Sequence, residues 1–235
     1  MLLHRYAFNN GTANDYVGGA AYAGSLMGGV SVIRGQTNLT KSSQYVNLPS
    51  GLFGSFMALS VEAWVTTGTN SNSNTGWARI FQFGADLSNT NTLMVLICGD
   101  AAVCSQGNFL VQWIAGNGAS SYGATSVVFS GQTNMHVVMT VSAGDYARLY
   151  INGVLAGITT AVVSPLPPAT VFYIGKSFVS GHAGLVGLVD EFRIWGGILS
   201  ATDVATRFSQ GQSEFTHALQ TLIQIVVSIS SLIMH

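Results

Sequence analysis

Apolar and polar positions alternate along this chain in short runs, and the runs end at clusters of Gly, Asn, Ser or Pro. Alternation with a period of two marks a strand with one buried face. Residues 58–66 (ALSVEAWVT), 79–84 (RIFQFG) and 135–141 (MHVVMTV) read as strong strands. Residues 2–8, 30–34, 44–48, 93–98, 108–114, 125–129, 171–175 and 185–195 read as further strands. Residues 146–151 and 154–158 flank Asn152-Gly153, a pair suited to the two positive φ angles of a type I′ hairpin turn. About a dozen strands with frequent turn signals, and no helices alternating with them, predict an all-β fold: a two-sheet antiparallel β-sandwich.

Two segments depart from this period. Ser200 with Asp203 three residues on resembles a capping box, Asp standing for the usual Glu, and predicts one short helix after the last strand, ending near Phe208. Residues 215–234 contain no Asp, Glu, Lys or Arg, and Phe215, Leu219, Leu222, Val226, Ile229 and Ile233 fall at four-three spacing. That is the seam of a separate C-terminal apolar helix. About 20 residues suffice to cross a bilayer, although no basic flank follows. Three readings stay open: a membrane-crossing or membrane-associated helix, a helix packed on another part or copy of the protein and so joining an oligomer, and an incidental chain end. The chain therefore divides into a sandwich over 1–211 and an apolar tail over 212–235.

Composition narrows the class. With 235 residues the chain is ordinary for one sandwich, and at this length roughly 70% of the unfolded surface can be buried. Hydrophobic residues make up 48% and charged residues 7%, which excludes disorder. The net charge of −1 and the lack of a Lys/Arg cluster exclude a nucleic-acid footprint. A surface poor in charge and rich in Asn, Ser and Thr suits an extracellular or cell-surface protein. Asn10-Gly11-Thr12 and Asn38-Leu39-Thr40 match the N-glycan acceptor pattern. His4 and Arg5 follow Met1-Leu2-Leu3 without an apolar core segment, so no signal peptide is read and the chain is expected to be part of a longer precursor. Cys98 and Cys104 lie between two predicted strands, where a disulfide would close the GDAAV loop; two free buried thiols are the alternative.

The chemistry-bearing residues are few. Nine carboxylates are present, and none forms the i, i+2 pair on one strand that a retaining glycosidase would need. Asp190 and Glu191 are adjacent, so a regular strand points them to opposite faces. No catalytic residue is assigned and the chain reads as non-catalytic. Glu62 and Arg193 sit inside strongly apolar strands and are expected to pair with each other. Asp15 lies in a glycine-rich loop (NDYVGG), where backbone carbonyls near Gly18 together with Asp190 would supply the oxygens that calcium takes. Solvated or turn-capping aspartates are the plainer alternative. Trp77, Asn74 and Tyr122 are loop aromatics and amides of the kind that stack on sugars and bond hydroxyls.

The order and spacing of several motifs carry more than any one alone. These are LLHRYAFN, DYVGG, YVNLP, LSVEAWV, RIFQFG, MHVVMTV, ARLYINGVLAG, FYIGKS, and GLVGLVDEFRIW with GILSATDVATRF. Together the chain resembles the concanavalin A-like, laminin-G-like jelly-roll domains over about residues 2–211. The resemblance implies two facing antiparallel sheets, close termini, and a last strand lying beside the first. It implies a structural calcium held by Asp15, carbonyls near Gly18, and Asp190. It also implies recognition of a glycan or an extracellular protein. A structural or assembly module, and a polysaccharide-active enzyme of the same fold, are the alternatives.

Overall fold

Strands that alternate produce sheets with one apolar face, and two such faces bury each other. The computed structural model describes residues 1–54, 57–67, 76–161 and 165–212. Its strands are β1 (Leu2–Tyr6), β2 (Ser25–Met27), β3 (Ser31–Ile33), β4 (Gln36–Leu39), β5 (Tyr45–Leu48), β6 (Ala58–Thr67), β7 (Arg79–Gly84) and β8 (Thr92–Ile97). They continue with β9 (Asn108–Ile114), β10 (Ser120–Val128), β11 (Met135–Ser142), β12 (Arg148–Ile151), β13 (Val154–Ile158), β14 (Val171–Ile174) and β15 (Gly187–Gly196), followed by α1 (Ala201–Gln210). One sheet runs β13-β12-β11-β6-β15-β4-β3 and the other β10-β9-β8-β7-β14-β5-β2. The far edge of β15 is shared: residues 187–189 pair with β4, and residues 192–195 pair with β1. The first and last strands thus lie together, as the resemblance implies, and Met1 and Gly196 exchange hydrogen bonds at 3.2 and 2.9 Å.

Val61, Ala63 and Val65 of β6 face inward, while Ser60, Glu62 and Trp64 face out. Phe172 of β14 sits centrally in the core. Its ring centroid lies 5.2 Å from Phe83 of its own sheet and 5.7 Å, edge-on, from Phe192 of the other. Such aromatic pairs add about 0.5–1.5 kcal/mol each beyond area burial.

The outer face of the first sheet is apolar around Val138, Tyr150 and Trp195, and α1 covers it through Val204 and the preceding Leu199. The helix begins as predicted: Ser200 Oγ accepts the Asp203 N–H, and Asp203 accepts the Ser200 N–H. It fits closely because Asn152 and Gly153 turn with φ of 50° and 82°, and a Cβ on Gly153 would meet Phe208 at 3.2 Å. The disulfide Cys98–Cys104 is formed, with 6.2 Å between Cα atoms.

Three features differ from expectation. Strands β2 and β4 were not expected, and β10 begins at Ser120 rather than at 125. β2 is only three residues long and β4 and the start of β10 are polar, and pairing with β5, β15 and β9 makes them strands. Asp190 and Glu191 do not point to opposite faces. Asp190 pairs with Trp64 and Arg193 with Glu62, so β15 has one residue more than β6 between these points. Glu191 takes up that bulge at φ 46°. The extra residue lets both carboxylates lie on the outer face, Asp190 toward Gln36 and Glu191 toward Arg5 and Arg193. Asn74 and the apolar tail of residues 215–234 lie outside the described residues. Among the described residues no helix is long and apolar enough to cross a membrane.

Candidate functional site

Asp15 organises its own loop. Oδ1 accepts the N–H groups of Arg5, Val17 and Gly18 at 3.0, 3.0 and 2.9 Å. Oδ2 meets His4 Nδ1 at 2.5 Å, and His4 Nε2 meets the Leu52 carbonyl at 2.5 Å. Both ring nitrogens face oxygen atoms. A Cβ on Gly18 would collide with Asp15 Oδ2 and His4 Nδ1, so glycine is required by close approach. The Asp15 carboxylate is surrounded by donors, where a calcium site needs oxygen ligands. As folded it does not fit that role.

Among the described residues no hydrogen bond or ion pair joins Asp190 to Asp15. Asp190 Oδ1 accepts the Glu191 N–H at 2.8 Å, and Gln36 Nε2 is 3.5 Å from Oδ2. Burial, and then the charge of Glu191, push its carboxyl up to about 6. Among the described residues no three His, Cys, Asp or Glu side chains cluster in a way that could hold a metal. Of the two acceptor tripeptides, Asn10 is exposed at a turn, where its Oδ1 accepts Thr12 Oγ1 at 2.5 Å. Asn38 is partly exposed on β4.

The buried ionic groups of the first sheet are mutually paired. Arg193 Nη1 lies 3.6 Å from Glu62, as expected, but its closer partner is Glu191 at 3.1 Å. Glu191 is also held in a fork by Arg5 Nε and Nη2 at 2.8 and 2.7 Å. Glu62 accepts in addition from His136 Nε2 at 3.0 Å and Trp195 Nε1 at 2.9 Å. Burial pushes the Glu62 carboxyl up, but the His136 hydrogen bond and the charge of Arg193 outweigh it and hold it below the usual range. These carboxylates are consumed in tying β1, β6 and β15 together.

The second sheet presents a different site. A groove of about 690 Å³ opens between the β4–β5 turn, the outer face of β14 and the loop that follows it. Tyr173, Lys176, Phe178, His182, Ser42 and Ser43 line it. Tyr173 meets Phe178 edge-on at 5.4 Å, and Lys176 Nζ lies 4.1 Å over the neighbouring Tyr45 ring. Under the wall lies Arg79, 2% exposed. Its Nη1 donates to the Trp77 carbonyl at 2.6 Å, its Nε to Gln82 Oε1 at 3.2 Å, and its Nη2 is 3.4 Å from His182 Nδ1. Gln82 Oε1 also accepts the Phe178 N–H at 3.1 Å, which pins the loop to the sheet. Burial and the Arg79 charge hold the His182 imidazole below its ordinary value, so the ring is neutral at pH 7. With Nδ1 accepting from Arg79, Nε2 carries the ring proton.

Trp77 and Tyr122 do not line this groove. They pack together against Met94, Leu96, Leu110 and Ile114 beside the disulfide. The groove residues themselves were not singled out in the sequence. The signal was present: a lone arginine in the apolar run RIFQFG, and a loop, KSFVSGHAG, carrying one of the chain's two lysines and a histidine.

The family model described as the concanavalin A-like lectin/glucanases superfamily (Laminin_G_3) matches residues 40–205, and the chain belongs to that family. A search of curated protein sequences finds no match. Among solved structures, domain 4 of AbnA, an extracellular arabinanase from Geobacillus stearothermophilus, in complex with arabinotriose, is similar at 20% identity and a TM-score of 0.66, over 87% of this chain and 97% of that one. The receptor-binding domain of a botulinum neurotoxin C/D mosaic is similar at 16% identity and a TM-score of 0.66, over 88% of this chain. The botulinum neurotoxin serotype D ligand-binding domain in complex with N-acetylneuraminic acid gives 15% identity and a TM-score of 0.64, again over 88% of this chain. The alignments cover 51% and 50% of those two toxin chains. At these identities the likeness is one of fold, the jelly-roll sandwich.

Proposed function

We propose that the chain is a non-catalytic carbohydrate-recognition module of an extracellular protein. The observation that carries this reading is the groove beside β14. Its wall is aromatic (Tyr173, Phe178) and its rim offers hydroxyls and nitrogens (Ser42, Ser43, Lys176, His182), with no carboxylate in the lining among the described residues. Aromatic faces stack on the apolar faces of sugars, and converging polar groups fix orientation. Glycosidic hydrolysis calls for two carboxylates flanking a bond. Here Asp15, Glu62 and Glu191 are occupied in structural hydrogen bonds, which supports binding without catalysis. Two of the similar solved structures are described in complex with sugars, arabinotriose and N-acetylneuraminic acid, which lends weight to the same use of the fold. A disulfide and a surface poor in charge support an extracellular setting. The test is binding of the purified chain to an oligosaccharide array, repeated with Tyr173→Ala. Binding that is lost in the variant is expected; no retained glycan on any array position would overturn the proposal.

A further inference from the structure

The groove holds an electrostatic imbalance found at no other buried arginine described. Arg193 is buried against Glu191 and Glu62, and Arg5 is forked onto Glu191. Arg79 is equally buried, yet its three hydrogen-bond partners, the Trp77 carbonyl, Gln82 and His182, are all neutral. No carboxylate lies within ion-pair distance of it among the described residues. A buried charge without a counter-charge is costly, and an anion in the adjacent cavity relieves that cost.

Further positive charge gathers at the same place. Lys176, one of the chain's two lysines, lines the groove. Asp86, which precedes Leu87 of the lining, is exposed and accepts the Ser88 N–H at 2.7 Å. Arg79 also fixes the His182 tautomer, which leaves Nε2–H as a donor that has no partner among the described residues. Ser177 Oγ, 3.2 Å from His182 Nδ1, supports the same orientation. A fixed donor, the Lys176 ammonium and the Arg79 charge behind His182, beside an aromatic wall, are complementary to a planar or tetrahedral anion carried on a ring.

We infer that the groove selects sugars bearing an anionic group, a carboxylate or a sulfate, seated near His182 and Lys176 above the Arg79 charge. This rests on the carbohydrate-recognition reading and names its ligand class. Tyr173 and Phe178 would contact the ring, and the anion would take the His182 Nε2–H and the Lys176 ammonium.

The experiment compares matched neutral, sialylated, uronate-containing and sulfated oligosaccharides on the intact chain, by calorimetry at low and high salt. Acidic members are expected to bind at least about tenfold more tightly than their neutral partners, with the preference shrinking as salt rises. Sialylated or uronate sugars bound alone identify a carboxylate, and sulfated sugars bound alone identify a sulfate; either supports the inference. Lys176→Gln is expected to weaken acidic ligands about fivefold more than their neutral partners, while Arg34→Gln, the same charge change at an exposed residue outside the groove, leaves both unchanged. Equal binding of neutral and acidic members overturns the anion inference and leaves carbohydrate recognition standing. Binding of neither overturns both. Arg79→Gln is read only if circular dichroism shows it folded, and Lys176→Gln decides the matter without it.

Discussion

Glu191→Gln isolates the contact that closes the chain end to end. The Glu191 side chain is 5% exposed and accepts from Arg5 of β1 at 2.8 and 2.7 Å and from Arg193 of β15 at 3.2 and 3.1 Å. Glutamine keeps the shape and the strained bulge backbone, so no cavity forms and the change is electrostatic. The two guanidiniums lose the carboxylate between them, and Arg193 keeps the Glu62 charge at 3.6 Å and the Gln212 carbonyl at 2.9 Å. Removing one partner of a buried ion pair costs about 3–5 kcal/mol, and the partial exposure of Arg5 places the expected loss near the lower figure. At about 2–4 °C per kcal/mol for a chain of this size, Tm falls by about 6–12 °C. Asp145→Asn is the control. The Asp145–Arg148 pair is as short, at 2.7 Å, but its side chains are 41% and 30% exposed. Exposed pairs contribute about 0–1 kcal/mol, so it should barely register. Thermal and urea unfolding near neutral pH measure both. A Glu191→Gln loss no larger than that of Asp145→Asn would refute the assignment of Glu191 as the ionic hub.

Other outcomes follow from the same geometry. The disulfide closes a loop with a sequence separation of 6, and the loop-closure entropy predicts that Cys98→Ala/Cys104→Ala lowers stability by about 2 kcal/mol, which urea unfolding with and without reductant would measure. Asp190 titrates near 6 in the folded chain, above the unfolded carboxylate value, so its contribution favours folding at acid pH and is lost as pH rises through about 6. Asp190→Asn should therefore raise stability near pH 7 by about 1 kcal/mol, after discounting for its partial exposure, and change little near pH 4; an equal effect at both values would contradict this. Millimolar calcium is expected to move Tm by less than about 1 °C, since four N–H donors already occupy Asp15, and a rise of several degrees would return Asp15 and Asp190 to a metal site.

Much of the sandwich was legible because its central strands obey a single rule. The sequences of β6, β9 and β11 are apolar and β-branched whichever neighbour they pair with, and Asn152-Gly153 dictates its own turn. QTNL of β4 and SLM of β2 carry no such signal: they are short, half-exposed strands whose conformation is set by β15 and β5. The Glu62–Arg193 pair could be foreseen from charge inside apolar strands. Glu191 could not, because a bulge at one residue reverses the face on which a carboxylate emerges. The groove was hidden for a related reason. Arg79 is 103 residues from His182 on the Lys176 loop, and only the pairing of β7 with β14 and the return of that loop bring them together.

The position of a bound sugar tests the central claim most directly. A crystal structure of the chain grown with an acidic oligosaccharide that it binds should show the sugar ring against Tyr173 and Phe178, with its anionic group within hydrogen-bond distance of His182 Nε2 or Lys176 Nζ. A sugar bound on any other face, with this groove empty, would contradict it.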